Sequence, residues 1–151
     1  MLRQSGDDLG RLLRALDEAT NGALAKRVTR SLASTGRDLV HEGFAASKAP
    51  SGQRWKPLAA RRGKPQTRKP LRKTGALEAA ALVFTVDAGG FVFSAVDRIV
   101  GYGHFHQSQE PRTRLPRRPF YPDDNGADLP LSWAIRMRED ADGAVGDWMP
   151  R

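Results

Sequence analysis

Between Gly43 and Leu77 the chain carries ten Lys and Arg residues and not one Asp or Glu. Like charges at that density repel one another. Pro50, Pro57, Pro65 and Pro70, with Gly52 and Gly63, exclude a long helix or a central strand here. Residues 48–74 therefore read as an extended basic arm inside an otherwise ordinary small protein. Loops longer than about 12–15 residues in a compact domain are usually functional or disordered. Such an arm is expected to gain order on an anionic surface, either nucleic acid or the acidic face of a protein.

The remainder suits one domain over 1–151: helical from 1 to 47, the arm from 48 to 74, a β-rich core from 75 to 122, and a C-terminal helix and tail from 123 to 151. Only 39% of residues are hydrophobic and the mean hydropathy is −0.55, so a thin core is expected, completed by neighbouring subunits. The chain has no cysteine, which excludes disulfides, a thiol nucleophile and thiolate metal sites. No apolar run approaches the roughly 20 residues of a membrane span. Gln4-Ser5-Gly6-Asp7-Asp8 interrupts any signal-peptide core. A soluble protein of a cytoplasm or of a particle interior is the expectation, with no membrane partner. The net charge of +8 is uneven: residues 123–151 hold three basic and seven acidic groups, against the wholly basic arm. In a head-to-tail ring the acidic end of one copy could face the arm of the next. Solvation of both is the alternative.

Leu9, Leu12, Leu13 and Leu16 fall at i, i+3, i+4 and i+7, one face of an amphipathic helix, and are expected to face the core. Asn21-Gly22 ends or kinks it. A second helix is expected over 23–46, with Leu24, Val28, Leu32, Leu39 and Phe44 near one stripe and Gly36 as a weak point. Gly75–Ala81 offers a helical turn or the start of a strand. Leu82–Val86 and Phe91–Val96, joined by Asp87-Ala88-Gly89-Gly90, carry the signal of a β-hairpin. Ile99–Gln107 reads as a short helix, and Arg112–Pro122 as an extended segment ending at Phe120-Tyr121. Leu129–Arg138 reads as a last helix, with residues from Glu139 onward loose. The fold class is α+β: N-terminal helices packed on a small, mostly antiparallel sheet, with a long basic arm and a C-terminal helix.

Candidate chemistry is sparse. His104 and His106 form an HxH pair, but a zinc site wants three or four supported ligands, and the sequence adds only His41 and scattered carboxylates. Asp7-Asp8 and Asp123-Asp124 are adjacent pairs that point different ways in regular structure. Gly101-x-Gly103 lacks the frame of a phosphate loop, and no Ser sits in a nucleophile elbow. No catalytic residue, cofactor or metal is assigned, and an enzyme is not expected. Trp55, inside the arm, could stack on single-stranded nucleic acid. As a lone aromatic it fits better as an anchor that pins the arm to its own core or to a neighbour.

Four motifs resemble, in order, those of the phage virion morphogenesis family, the tail completion proteins of contractile-tailed, Mu-like phages. Pro50-Ser51-Gly52-Gln53-Arg54-Trp55-Lys56-Pro57-Leu58 is similar to its P-x-G-x-x-W-x-P-L stretch. Leu71-Arg72-Lys73-Thr74-Gly75-Ala76-Leu77 matches L-x-x-T-G-x-L. Tyr102-Gly103-His104-Phe105-His106-Gln107 matches Y-[AG]-x-x-H-Q, and Leu115-Pro116-Arg117-Arg118-Pro119-Phe120 matches [IL]-P-x-R-P-F. Ser108-Gln109 and Tyr121-Pro122 depart from the Phe-Gly and Leu usual after the last two motifs. The resemblance covers about residues 44–122. It implies a structural virion protein of the neck or tail end, found in the host cytoplasm during assembly. It implies a ring of copies of itself between the tail tube or terminator and the head-side connector, with at most weak DNA contact. Trp55, Leu58, Arg61, Arg62, Arg68, Lys69, Tyr102, His106, Gln107, Arg118 and Phe120 are the interaction residues that follow. The alternative function is a basic nucleic-acid-binding protein whose residues 48–73 track phosphates.

Overall fold

Asn21-Gly22 sets the first architectural boundary. Gly22 adopts φ 80°, a left-handed conformation that glycine takes at little cost, and the Asn21 side chain accepts the Ala23 amide at 3.0 Å. The computed structural model describes residues 6–86, 90–93, 103–108, 116–122 and 129–149. Helix α1 (Gly6–Thr20) precedes this break and α2 (Ala23–Ala46) follows it. Then come α3 (Ala76–Ala81), β1 (Phe84–Val86), β2 (Phe91–Phe93), α4 (Gly103–Gln107) and α5 (Leu131–Gly146). The fold is α+β, as expected from the sequence.

Helix α2 is the axis of the molecule. Its buried residues are Ala33, Thr35, Gly36, Leu39, Val40 and Phe44, a stripe at the helical repeat. α5, α1 and both strands pack on it. β1 and β2 form one antiparallel hairpin, pairing Phe84 with Phe93, Thr85 with Val92 and Val86 with Phe91. The alternation sends Phe84 and Phe93 to one face, while Thr85 and Val92 face solvent. The Phe93 ring lies over Gly36: a Cβ there would meet its Cε2 at 2.8 Å. The apparent weak point of α2 is thus the place where the sheet comes closest. Of the two options at Gly75–Ala81, the helical turn is the one adopted, entered from Gly75 at φ 76°.

Two expectations are corrected. Three leucines of α1 do not face the core: Leu12, Leu13 and Leu16 are 49, 58 and 52% exposed. The helix meets α2 through the side that carries the buried Ala15, which turns the leucine face outward. The segment after Glu139 is not loose, because α5 runs on to Gly146. Long-range contacts hold this polar stretch in place. Thr35 Oγ1 donates to Asp140 Oδ2 at 2.5 Å, and Trp148 Nε1 donates to Glu18 Oε2 at 2.9 Å. Asp87–Gly89 of the hairpin loop and the expected segments 99–102 and 112–115 lie outside the described residues.

Candidate interaction site: a motif junction and a basic hairpin

The arm begins where α2 ends. Ser47 takes φ 54°, its amide bonds to Phe44 O, and the Lys48 amide reaches Gly43 O at 2.9 Å. This is a Schellman closure with serine at the usual glycine position. A tight loop follows, with Ala49 N donating to Gln53 O and Gly52 N to Ala49 O, both at 2.8 Å. The loop reverses the chain, and Trp55 N donates to Ser47 O at 2.8 Å. Trp55 thereby falls back on the end of α2. Its ring meets Phe44 edge-on at 5.4 Å, and Phe44 in turn packs on Phe120 at 5.4 Å. Trp55, Phe44 and Phe120 are 6, 0 and 3% exposed and share one core with Leu39, Val40, Leu77, Ala80 and Trp133.

The polar groups of this junction are paired with backbone. Trp55 Nε1 donates to Pro119 O at 2.9 Å. Arg118 is 4% exposed, and its guanidinium donates to Lys56 O at 2.9 Å and Pro57 O at 3.1 Å. The partners of this buried cation are thus backbone carbonyls of the arm. Burial lowers the Arg118 pKa from its ordinary value. Gln107 acts as a substitute for a strand neighbour. Its Oε1 accepts the amides of Phe120 and Tyr121, each at 3.1 Å, and its Nε2 donates to Tyr121 O at 2.8 Å. His106 is buried, and its carbonyl accepts the Arg118 amide at 3.1 Å. Burial lowers its pKa first and the Arg118 charge second, while a hydrogen bond with the Pro116 backbone opposes both.

Four sequence-separated segments therefore close on one another. Trp55, Leu71 and Leu77, His106 and Gln107, and Arg118 and Phe120 come from the four motifs in turn. Tyr102 lies outside the described residues. Of the two anchor sites left open by the sequence, its own core or a neighbour, Trp55 occupies the first. The loop over 49–53 makes the return path too short to leave the ring free. Tyr121, a departure from the family pattern, packs against the same core. Its ring packs on Phe93 and Phe120, its hydroxyl donates to Ala81 O at 2.8 Å, and burial pushes its pKa up to about 12.

Beyond Pro57 the arm leaves the core and closes into a hairpin of its own. Arg61 and Lys64 exchange two backbone hydrogen bonds, at 3.0 and 3.1 Å, around Arg62 at φ 52° and Gly63 at φ 75°. Two left-handed central residues make a type I′ turn. Gln66 Nε2 closes the next rung onto Ala59 O at 2.7 Å. Leu58 is half-buried, whereas Arg61, Arg62, Lys64 and Arg68 are exposed and form no ion pair among the described residues. Lys69 plays a different part. Its Nζ donates to Ala45 O at 2.6 Å, at the electronegative end of α2. The arm is thus tied down by its own chain at both ends, through Trp55 and through Lys69 with the partly buried Leu71.

Sequence reading missed Glu78, the first carboxylate after the acid-free stretch. It is 7% exposed, its Oε2 accepts Arg72 Nε at 2.7 Å, and His41 Nδ1 lies 3.0 Å from its Oε1. A single carboxylate after so many cations was the available signal. Within α4, His104 is exposed and His106 buried, so the two rings do not share an open site. Among the described residues no group of three or more His, Cys, Asp or Glu gathers to hold a metal, and no helix is long and apolar enough to cross a membrane. Comparison with protein-family models, curated proteins and solved structures returned no match for this chain.

Proposed function

We propose that this protein is a structural virion component, a tail completion or head–tail joining protein of a contractile-tailed particle that assembles as a ring at the neck or tail end. One observation carries the reading. The residues of all four motifs meet at one junction, and there they bind backbone and one another. The junction joins segments and roots a projecting basic hairpin, which is work suited to a scaffold. Its partners on this reading are further copies of itself, the tail tube or terminator, and the head-side connector. The test is deletion of its gene from a strain that produces the particle. Heads and tails should then accumulate separately by negative-stain electron microscopy, and be joined again when the gene is supplied in trans. Normal numbers of joined particles after deletion would reject the proposal.

A second reading, nucleic-acid binding by the arm, is favoured by the unpaired exposed cations of the hairpin. Neutralisation of about eight phosphates would make log K fall with log salt at a slope near −7. Sub-micromolar affinity near physiological salt with that slope would move the assignment to this second function.

A further inference from the structure

The exposed face of α5 complements the basic hairpin in both charge and order. Leu131, Ile135, Glu139 and Asp142 follow one another at i, i+4, i+8 and i+11, a single stripe on the helix, and all four are exposed. Leu131 and Ile135 are 75 and 50% exposed. Glu139 and Asp142 form no ion pair among the described residues. The stripe is therefore apolar at its start and net acidic at its end, where Glu139 and Asp142 outnumber the exposed Arg138 at i+7. The arm reads in the same sense: Pro57, Leu58, Ala59 and Ala60 are apolar, and Arg61, Arg62 and Lys64 are cationic.

The spacings agree. Ile135 and Glu139 are four residues apart, about 6 Å along a helix. Ala59 and Arg61, before the turn, are two residues apart, about 7 Å along an extended chain. Laid side by side, the apolar parts meet and the opposite charges meet. The hairpin also comes preformed, closed by the Arg61–Lys64 pair and the Gln66 bond, so little ordering cost falls on docking. Arg62 holds φ 52°, where Asn or Gly is usual, so the turn keeps a cation at its tip against the backbone preference.

The contact is not made within one chain, since no ion pair joins the hairpin to α5 among the described residues. We propose that the hairpin of one copy seats on the Leu131–Asp142 stripe of α5 in the next copy. The two surfaces differ, so the contact is heterologous, and its repetition closes a ring. This deepens the ring assembly proposed above and rests on it.

The experiment uses the full chain, with mass measured by size-exclusion chromatography with light scattering, and folding checked by circular dichroism. The wild type should be a discrete oligomer that dissociates as salt is raised. Arg61→Glu with Arg62→Glu should give a folded monomer, and so should Glu139→Lys with Asp142→Lys. Mixing the two variants should restore an oligomer, because each hairpin then finds an opposite stripe. The milder pair Arg61→Gln with Arg62→Gln should shift association the same way if charge reversal disturbs folding. An oligomer untouched by either reversal overturns the contact and leaves ring assembly standing. A wild type that is monomeric at every concentration overturns both. Monomeric variants with no recovery on mixing reject the pairing. Loss of duplex DNA binding on Arg61→Glu with Arg62→Glu, at unchanged mass, assigns the hairpin to nucleic acid instead.

Discussion

Trp55 and Phe120 show how one side chain can decide whether an arm is free. Each fills a pocket of its own chain beside Phe44, so truncation removes core packing. Losses of roughly 3–5 kcal/mol are usual for buried aromatics. Trp55→Ala and Phe120→Ala should therefore each lower the melting temperature by about 10 °C in a thermal circular-dichroism scan. An unchanged melt would show that the ring is not held as described. Tyr121 gives a prediction in alkali. Its pKa is raised to about 12 by burial, against an ordinary 10.0. Between those values the unfolded chain loses the proton first, so the contribution of Tyr121 is complete below pH 10 and is lost as pH rises toward 12. Absorbance at 295 nm should show one of the two tyrosines titrating near 12, and Tyr121→Phe should abolish that late step. His106 has the opposite dependence. Its pKa is lowered, so the unfolded chain takes up a proton first and stability declines as pH falls below 6.5. His106→Gln should flatten that part of the acid limb of a melting-temperature profile.

At the scale of elements, two glycines in helices have opposite uses. Gly36 accepts Phe93 and Met137 against its backbone, with Phe93 Cε2 2.8 Å from where a Cβ would stand. Gly10 in α1 has nothing within 4 Å of that position. Alanine gains up to about 1 kcal/mol over glycine in a helix interior, while overpacking costs about 1–3 kcal/mol. Gly10→Ala should raise the melting temperature slightly and Gly36→Ala should lower it, as compared by calorimetry. If both raised it, the sheet would not sit on α2 as closely as described. The leucine face of α1 is a further case. Because Leu13 is 58% exposed, Leu13→Gln should shift stability by no more than about 0.5 kcal/mol in a urea titration. A loss of several kcal/mol would mean that this face is covered within the chain.

The whole molecule separates holding from reaching. Its core ties α2, α3, α5 and the motif segments together, while Arg61, Arg62, Lys64 and Arg68 stay exposed on the hairpin. A chain whose residues 60–65 are replaced by a short glycine linker should keep its helix content and melting temperature. On the proposed function it should fail to join heads to tails in a complementation assay. Joined particles from such a chain would remove the hairpin from assembly.

The sequence by itself determined what depends on neighbours along the chain. The break at Asn21-Gly22, the span of α2, the strands around Asp87–Gly90 and the aromatic role of Trp55 were all legible, because turn chemistry and side-chain period act over a few residues. The α+β class followed from the order of those elements. Only the tertiary structure decided which partner each group finds across long separations. It gave Trp55 a pocket in its own chain, set Arg118 on the Lys56 and Pro57 carbonyls, and drew Lys69 back to Ala45. It kept α5 helical through Asp140, a polar stretch that no local pattern supports, because Thr35 lies opposite. It also turned the α1 leucines outward, since a periodic face states that a helix has an apolar side but not that the rest of the chain will cover it.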